Sequence, residues 1–320
     1  MTATLLPSMM IGYYTYCKYL ADGRSKNREP PAARGERMLT AFQRLIRNPK
    51  FLRFAYNPKL ISAINKIGLA APLRNYHYRS VVRSDGVYRA SLHGLEAAFR
   101  VPIPHDLLRV EYTLSTEAPV LETILRTLRA GDVFLDIGAN VGVYTVLSAR
   151  AVGEAGCVAA FEPEIQRFER LQENLTLNGL GNVRPFRVAL GEAEGEARLY
   201  VKGPPSPSLV APQGRVAASA ECAMVKVVNG DEYWKAQGLP PPRVVKIDVE
   251  GYELSVLKGL RGLLSGPATT FLACEIHPWA GVTVQDVREL LASMRFGNVT
   301  TTRRQGEVHM LARKEPFGSR

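Results

Sequence analysis

The sequence predicts a doubly wound α/β fold built on a largely parallel sheet, and three observations carry that prediction. From about residue 114 onward, short apolar runs alternate with amphipathic helical stretches, the order that gives parallel strands joined by right-handed crossovers. Residues 133–145, VFLDIGANVGVYT, read as a strand buried on both faces, a glycine turn and a helix start. Carboxylates, a lysine and an imidazole then recur at the carboxyl ends of the later runs, where an open α/β sheet builds its site.

A chain of 320 residues with 46% apolar and 22% charged content is an ordinary globular protein, long enough for one large domain and an appendage. The four cysteines (Cys17, Cys157, Cys222 and Cys274) form no CxxC pair, so reduced core thiols are expected rather than disulfides or a metal site. The net charge of +11 is unevenly placed. Residues 1–84 hold 15 Lys and Arg against 3 Asp and Glu, whereas residues 85–320 hold 26 against 27. The positive excess therefore belongs to an arm, and the catalytic-looking part is electrically neutral.

In order, residues 1–80 are expected to form a basic, partly helical N-terminal extension and residues 81–320 the main domain. The apolar stretch in residues 1–20 is broken by Pro7, Gly12 and Lys18, too short and polar for a membrane span and poor as a secretory signal. Residues 21–36 read as a linker. Leu39, Phe42, Leu45 and Ile46 share one face of a helix over 37–54, with Arg37, Arg44 and Arg47 elsewhere on the wheel, and a second helix is expected over 59–67. A packed or solvated basic appendage is favoured over contact with an anionic surface, lipid or nucleic acid.

Residues 81–113 alternate like strands, with Gly86 and Gly94 as turn candidates and Pro102 and Pro104 ending the run, and 117–128 read as a helix; together 81–130 are expected to shield the ligand crevice. The core over 131–320 then runs as follows. Strands are expected at 133–137, 157–161, 183–188, 244–249 and 270–276, with helices at 165–177, 252–264 and 285–294. Residues 197–201 and 224–228 are expected to pair as a hairpin around a proline- and serine-rich mobile loop at 203–218. Two terminal strands at 298–302 and 308–313 complete the chain.

Asp136 sits at the tip of the first core strand, and Gly138 and Gly142 bracket the turn. Glu162 closes the next strand, where an acid is positioned to hydrogen-bond both hydroxyls of a ribose. The ligand is a nucleoside, either a nicotinamide dinucleotide or S-adenosylmethionine. The turn is D-x-G-x-x-x-G rather than G-x-G-x-x-G, and an acidic tip suits a ligand cation better than a diphosphate.

The segments DIGANVGVYT, FEP, NLTLNGLGNV followed by VALGE, KIDVEGYELSVLKG and CEIH resemble the FkbM-type S-adenosylmethionine-dependent methyltransferases, over roughly residues 114–276. The resemblance implies a Rossmann-like class I methyltransferase sheet of seven strands, one antiparallel, here with an N-terminal helical and hairpin extension. It implies S-adenosylmethionine as cofactor and O-methylation of a hydroxyl on a sugar, glycan or small natural product. On the same basis Asp136, Gly138, Asn140 and Gly142, with Tyr144 and Thr145 just beyond, hold the methionine part. Glu162 with Pro163 takes the ribose, and Val188 and Ala189 border the adenine. Residues 1–80 fall outside it.

Lys246, Asp248 and Glu250 alternate and so point one way, as do Glu275 and His277. His277 is the first candidate for general base because its ordinary pKa lies near neutrality, against a structural histidine before Pro278. Asp248 or Glu250 serve instead if desolvated. Lys246 either pairs internally with Asp248 or Glu275 or meets a ligand. No metal is expected, although Asp248, Glu250, Glu275 and His277 would permit a hard divalent cation. A cytoplasmic O-methyltransferase, at most peripheral to a membrane, is the expectation. The rivals are an RNA-directed methyltransferase that uses the basic arm and a non-catalytic binding protein with the same fold. The first is weakened by the absence of an N/D-P-P-Y motif and by the neutral catalytic half.

Overall fold

The computed structural model describes residues 70–201, 207–211, 221–304 and 306–314. The helices expected over 37–54 and 59–67, the linker at 21–36, Cys17 and most of the 203–218 loop lie outside the described residues.

The described chain opens with α1 (Ala70–Val81), then β1 (Val87–Leu92) and β2 (Leu95–Arg100), paired antiparallel. His93 and Gly94 turn the hairpin with φ of 51° and 78°, the two left-handed residues that a tight two-residue loop needs. The strand-like alternation stops there. Residues 104–113, the end of the stretch expected to alternate like strands, instead lie in helix α2 (Pro104–Ser115), which begins at one of the two prolines expected to end that run. Pro104 sits in its first turn, where a missing N–H costs nothing, and Leu107 and Val110 are buried on a helical period. Helix α3 (Ala118–Thr127) follows as expected. Tyr78 donates to the Val101 carbonyl at 2.8 Å, and His77 meets Glu111 at 2.8 Å, tying α1 to this lead-in.

The central strand β3 (Val133–Ile137) is buried at every residue. It feeds α4 (Val143–Val152), β4 (Cys157–Phe161), α5 (Ile165–Leu177) and β5 (Val183–Phe186). The strand expected at 183–188 ends early. Its last part becomes β6 (Ala189–Gly191), which joins β7 (Gly195–Tyr200) and β8 (Cys222–Asn229) in a separate three-stranded sheet. The β7–β8 pairing is the expected one, with Ala197 opposite Val225. After α6 (Gly230–Ala236) and β9 (Val244–Ile247), the single helix expected over 252–264 is two, α7 (Glu253–Gly259) and α8 (Arg261–Ser265). Gly259 lies so close to β6 that a Cβ there would sit 1.8 Å from the Gly191 carbonyl oxygen. Strand β10 (Phe271–Ile276), helix α9 (Val284–Ser293), β11 (Phe296–Arg304) and β12 (Glu307–Lys314) finish the fold.

The seven-stranded sheet runs β11-β12-β10-β9-β3-β4-β5, with β12 antiparallel to both neighbours and the others parallel. That is the expected count and the expected lone antiparallel strand. The chain builds outward from β3 in one direction and from β9 in the other, so the carboxyl ends of these two strands form the switch-point crevice. Side chains alternate across the sheet: Phe134 packs with α3, α4 and α5, while Leu135 and Ile137 pack with α7 and α9.

The hairpin does not shield the crevice as expected. The Ala98 and Arg100 amides of β2 donate to Asn178 and Asn174 at 2.9 and 2.7 Å, so the hairpin covers α5. Of the 81–130 unit it is the lead-in helix that reaches the crevice, where Glu117 at the start of α3 bonds Tyr144 just beyond the glycine turn. Cys274 is buried, Cys157 half-buried and Cys222 exposed, all as free thiols. Among the described residues no helix is long and apolar enough to cross a membrane.

Candidate functional site

Asp136 stands at the carboxyl end of β3, directly opposite Lys246 of β9, and is fully buried. A carboxylate in that position must find hydrogen bonds and a cation. Thr145 donates its hydroxyl to Oδ2 at 2.6 Å, and Lys246 Nζ lies 3.4 Å from Oδ1. The same ammonium reaches Asp248 at 3.6 Å and donates to the Gly138 carbonyl at 2.8 Å. Burial lowers the Lys246 pKa, but Asp136, Asp248, Glu117 and Glu275 outweigh it and raise the value. Asp136 therefore offers no free charge to a ligand cation. Lys246 makes the internal ion pair considered from the sequence, with Asp136 and Asp248 as partners rather than Glu275.

The two glycines of the turn serve the protein's own packing. Gly138 has φ +77°, and a Cβ there would stand 1.7 Å from the Asp248 carbonyl oxygen. Gly142 has φ +89°, and its Cβ would meet Leu171 of α5 at 2.5 Å. Between them Asn140 (φ 53°) donates its backbone N–H to Glu162 Oε2 at 2.9 Å, while its buried side-chain oxygen has no protein donor. Glu162 Oε1 accepts from the Glu164 amide at 2.9 Å. Burial pushes the Glu162 pKa up against the pull of Arg167 and these backbone bonds. Pro163 beside it is half-buried. The Glu162 amide donates to Phe186 at the end of β5 at 3.1 Å, and Val188 and Ala189 follow in the link into β6. The structure thus brings Asp136, Gly138, Asn140, Gly142, Tyr144, Thr145, Glu162 and Pro163 together at the ends of β3 and β4. Val188 and Ala189 lie one strand further out.

A second group gathers beyond β9 and β10. His277 is 1% exposed, with Nδ1 2.7 Å from Glu253 Oε1 and Nε2 3.4 Å from Glu250 Oε2. Burial lowers its pKa, but the Glu253 bond and the charges of Asp248, Glu253 and Glu250 prevail and raise it to about 9. His277 is consequently an imidazolium at neutral pH, and the near-neutral pKa that recommended it as a base is lost. Glu250 holds φ 53°, and its carbonyl accepts the buried Ser208 hydroxyl at 2.6 Å, so the insertion is pinned to this loop. Glu275 leaves the group. It faces His309 of β12 at 3.2 Å and clusters with Glu307, which splits the four-residue metal set considered above into two.

Residues 136–297 match the family model described as the methyltransferase FkbM domain. The chain is 33% identical over 227 residues to the hexuronic acid methyltransferase AglP of Haloferax volcanii, covering 71% of this chain and 88% of that protein. It is 27% identical over 164 residues to the methyltransferase sdnD of Sordaria araneosa, covering 42% of this chain and 63% of that one. The chain belongs to the FkbM methyltransferase family. A solved FkbM methyltransferase from Methylobacillus flagellatus aligns with a TM-score of 0.42 and 16% identity, over 78% of this chain and 60% of that one.

Around this FkbM crevice stand three residues that the sequence did not single out. Glu117, at the start of α3, is 9% exposed and hydrogen-bonded to Tyr144. Burial and the Asp248 charge lift its carboxyl to about 7, with Lys246 and the Tyr144 bond pulling the other way. Its only local cue is that it precedes Ala118 and Pro119, which marks a helix start and nothing more. Arg109 of α2 and Arg167 of α5 are half-buried in the field of Glu162, Glu164 and Glu250, and burial lowers the Arg167 pKa to about 10. Among the described residues neither guanidinium lies within ion-pair distance of a carboxylate, and Arg109 reaches only His105, at 3.5 Å. No sequence pattern joins them, since they come from helices nearly 60 residues apart.

Proposed function

We propose that this methyltransferase uses S-adenosylmethionine to methylate an oxygen of an acidic sugar. The arrangement of Asn140 and Glu162 carries the cofactor reading: an orphaned buried acceptor in the turn after β3, bonded through its amide to a buried carboxylate closing β4. A ribose diol supplies donors to Glu162, whose two oxygens have lone pairs beyond those used by the Asn140 and Glu164 amides. The turn itself brings no cation for a diphosphate, and Lys246 is committed to Asp136 and Asp248. The turn from Gly138 to Gly142 would hold the methionine part, Glu162 and Pro163 the ribose, and Val188 with Ala189 the adenine edge.

When bound, the cofactor supplies an already activated methyl group. The chain's work is then positioning, which contributes up to ~7–11 kcal/mol when the reacting oxygen is held in line. Glu250 is assigned the proton of the acceptor hydroxyl, a role worth about 10²–10⁴-fold. His277, clamped by Glu253 and charged, orients the Glu250 carboxylate from 3.4 Å and acts as a positioning residue. Arg109 and Arg167 would receive the carboxylate of the sugar, and the relative named for hexuronic acid favours the same class.

Transfer of labelled methyl groups to glucuronic or galacturonic acid conjugates, compared with their neutral hexose counterparts, tests this. The acidic acceptors should be methylated, and Arg109→Gln or Arg167→Gln should raise their KM, with S-adenosylmethionine affinity unchanged in Arg109→Gln. Equal rates on neutral hexoses, unaffected by either substitution, would remove the acidic-sugar reading.

A further inference from the structure

We propose that Glu117 receives the α-ammonium of the cofactor's methionine part. The inference rests on the S-adenosylmethionine reading above and names a contact within it. A methionine ammonium needs a carboxylate near the turn after β3, and the acid at the tip of that strand is sealed. Asp136 has no exposed surface and is taken by Lys246 and Thr145. The other acids of the crevice are also engaged. Asp248 shares Lys246, Glu250 and Glu253 flank His277, Glu162 accepts two backbone amides, and Glu275 faces His309.

Glu117 differs from all of them. Its neighbours in bonding contact are neutral: the Thr113 hydroxyl at 3.4 Å and the Tyr144 phenol. Among the described residues no cation stands within ion-pair distance of it. Tyr144 is the second residue of α4, directly after the glycine turn, so its hydroxyl brings the Glu117 carboxylate to the end of the crevice where the turn lies. Lys246 rests 5.3 Å from the centre of the same tyrosine ring, committed elsewhere.

A carboxylate nine-tenths buried without a cation is unfavourable in its ionised form. The charged and titratable groups that act on it are Tyr144 of α4, Lys246 of β9, Asp248 after it, and Glu307 of β12. Burial first, and then the Asp248 and Glu307 charges, lift the carboxyl to about 7 against Lys246 and the Tyr144 bond, so a ligand ammonium has a charge to stabilise. Backbone carbonyls of the turn alone would not supply that charge.

Two probes separate the ammonium contact from the rest of the site. S-adenosylhomocysteine carries the amino-acid part, whereas 5′-methylthioadenosine lacks it and keeps the ribose and adenine. Isothermal titration of the full chain should show Glu117→Gln weakening S-adenosylhomocysteine by roughly 10- to 100-fold, the range for a hydrogen bond to a charged group. Binding of 5′-methylthioadenosine should stay within twofold. Tyr144→Phe, which removes the bond presenting the carboxylate, should give a smaller loss with the same selectivity; it serves as the test if Glu117→Gln does not fold. Equal weakening of both ligands would make Glu117 structural and overturn the proposal, as would unchanged S-adenosylhomocysteine affinity. A wild-type chain that binds neither ligand would overturn the cofactor reading and this contact with it.

Discussion

Lys246→Met removes the one cation that the buried acids at the β3–β9 switch point share. The substitution keeps the length of the side chain, so packing against Tyr144 is largely retained. What it leaves behind is Asp136 without a counter-charge, fully buried and bonded only to Thr145, Asp248 without its partner at 3.6 Å, and a Gly138 carbonyl without its donor. Breaking a buried pair by deleting one member costs about 3–5 kcal/mol, most of it the stranded charge. The stranded-charge cost outweighs the ~1.5–3 kcal/mol expected from a lost charge-assisted hydrogen bond alone. In urea unfolding, with a slope near ~3 kcal/mol/M, the midpoint should fall by roughly 1–2 M. The double variant Lys246→Met with Asp136→Asn neutralises both members, and should be more stable than Lys246→Met alone. A loss under about 1 kcal/mol for the single variant, or strict additivity in the double, would refute the pairing of Lys246 with Asp136 as the core of this site.

Other outcomes follow from the same geometry. Gly138→Ala should abolish folding or cost more than about 4 kcal/mol, because its Cβ would meet a backbone oxygen at 1.7 Å. Gly153→Ala, at φ 66° and ψ −178° where essentially only glycine is found but with nothing within 4 Å, should cost less, about 1–3 kcal/mol; thermal melts of the pair compare the two. His277 has a folded pKa of about 9, above its ordinary 6.5. Its contribution of about 3 kcal/mol is complete below pH ~6.5 and is lost as pH rises through ~9. Urea unfolding across pH 6 to 10 should show the wild-type advantage over His277→Asn shrinking in that window, and a constant gap would contradict it. Asn174 is fully buried, donating to the Val141 carbonyl and accepting the Arg100 amide, both at 2.7 Å. Asn174→Leu should cost about 2–4 kcal/mol and speed hydrogen exchange at Arg100 and its β2 neighbours.

Where local chemistry decides the structure, the sequence shows it. Strands Val133–Ile137 and Cys157–Phe161 are short apolar runs with turns at both ends, and they fall where the pattern places them. Helix Ile165–Leu177 starts after Glu164, whose side chain accepts the amides of Gln166 and Arg167 as a cap. Residues 104–115 show the limit of the pattern: Pro102 and Pro104 end the strand-like run as expected, but nothing in the alternation marks that Pro104 also begins a helix. The site is harder to see, because partners come from distant strands. Asp136 and Lys246 are 110 residues apart and meet only through the parallel register of β3 and β9. Alternation predicts that Glu275 and His277 share one side, yet they fall into separate clusters, His277 with Glu250 and Glu253 and Glu275 with His309. Nothing in that alternation reveals that antiparallel β12 sets His309 directly opposite Glu275 and draws it away. Glu117, Arg109 and Arg167 carry no motif; their position in the crevice is a property of helix packing.

The central claim is that a nucleoside sulfonium binds where β3 and β4 end, with its ribose on Glu162. Unfolding free energy measured with and without S-adenosylmethionine, for the wild type and for Glu162→Ala, tests it most directly. At a ligand concentration 100 times the dissociation constant the wild type should gain about 2.7 kcal/mol, and Glu162→Ala should need at least about tenfold more ligand for the same gain, equivalent to ~1.4 kcal/mol of binding. No stabilisation of the wild type at millimolar ligand, or an equal gain in the variant, would contradict the account.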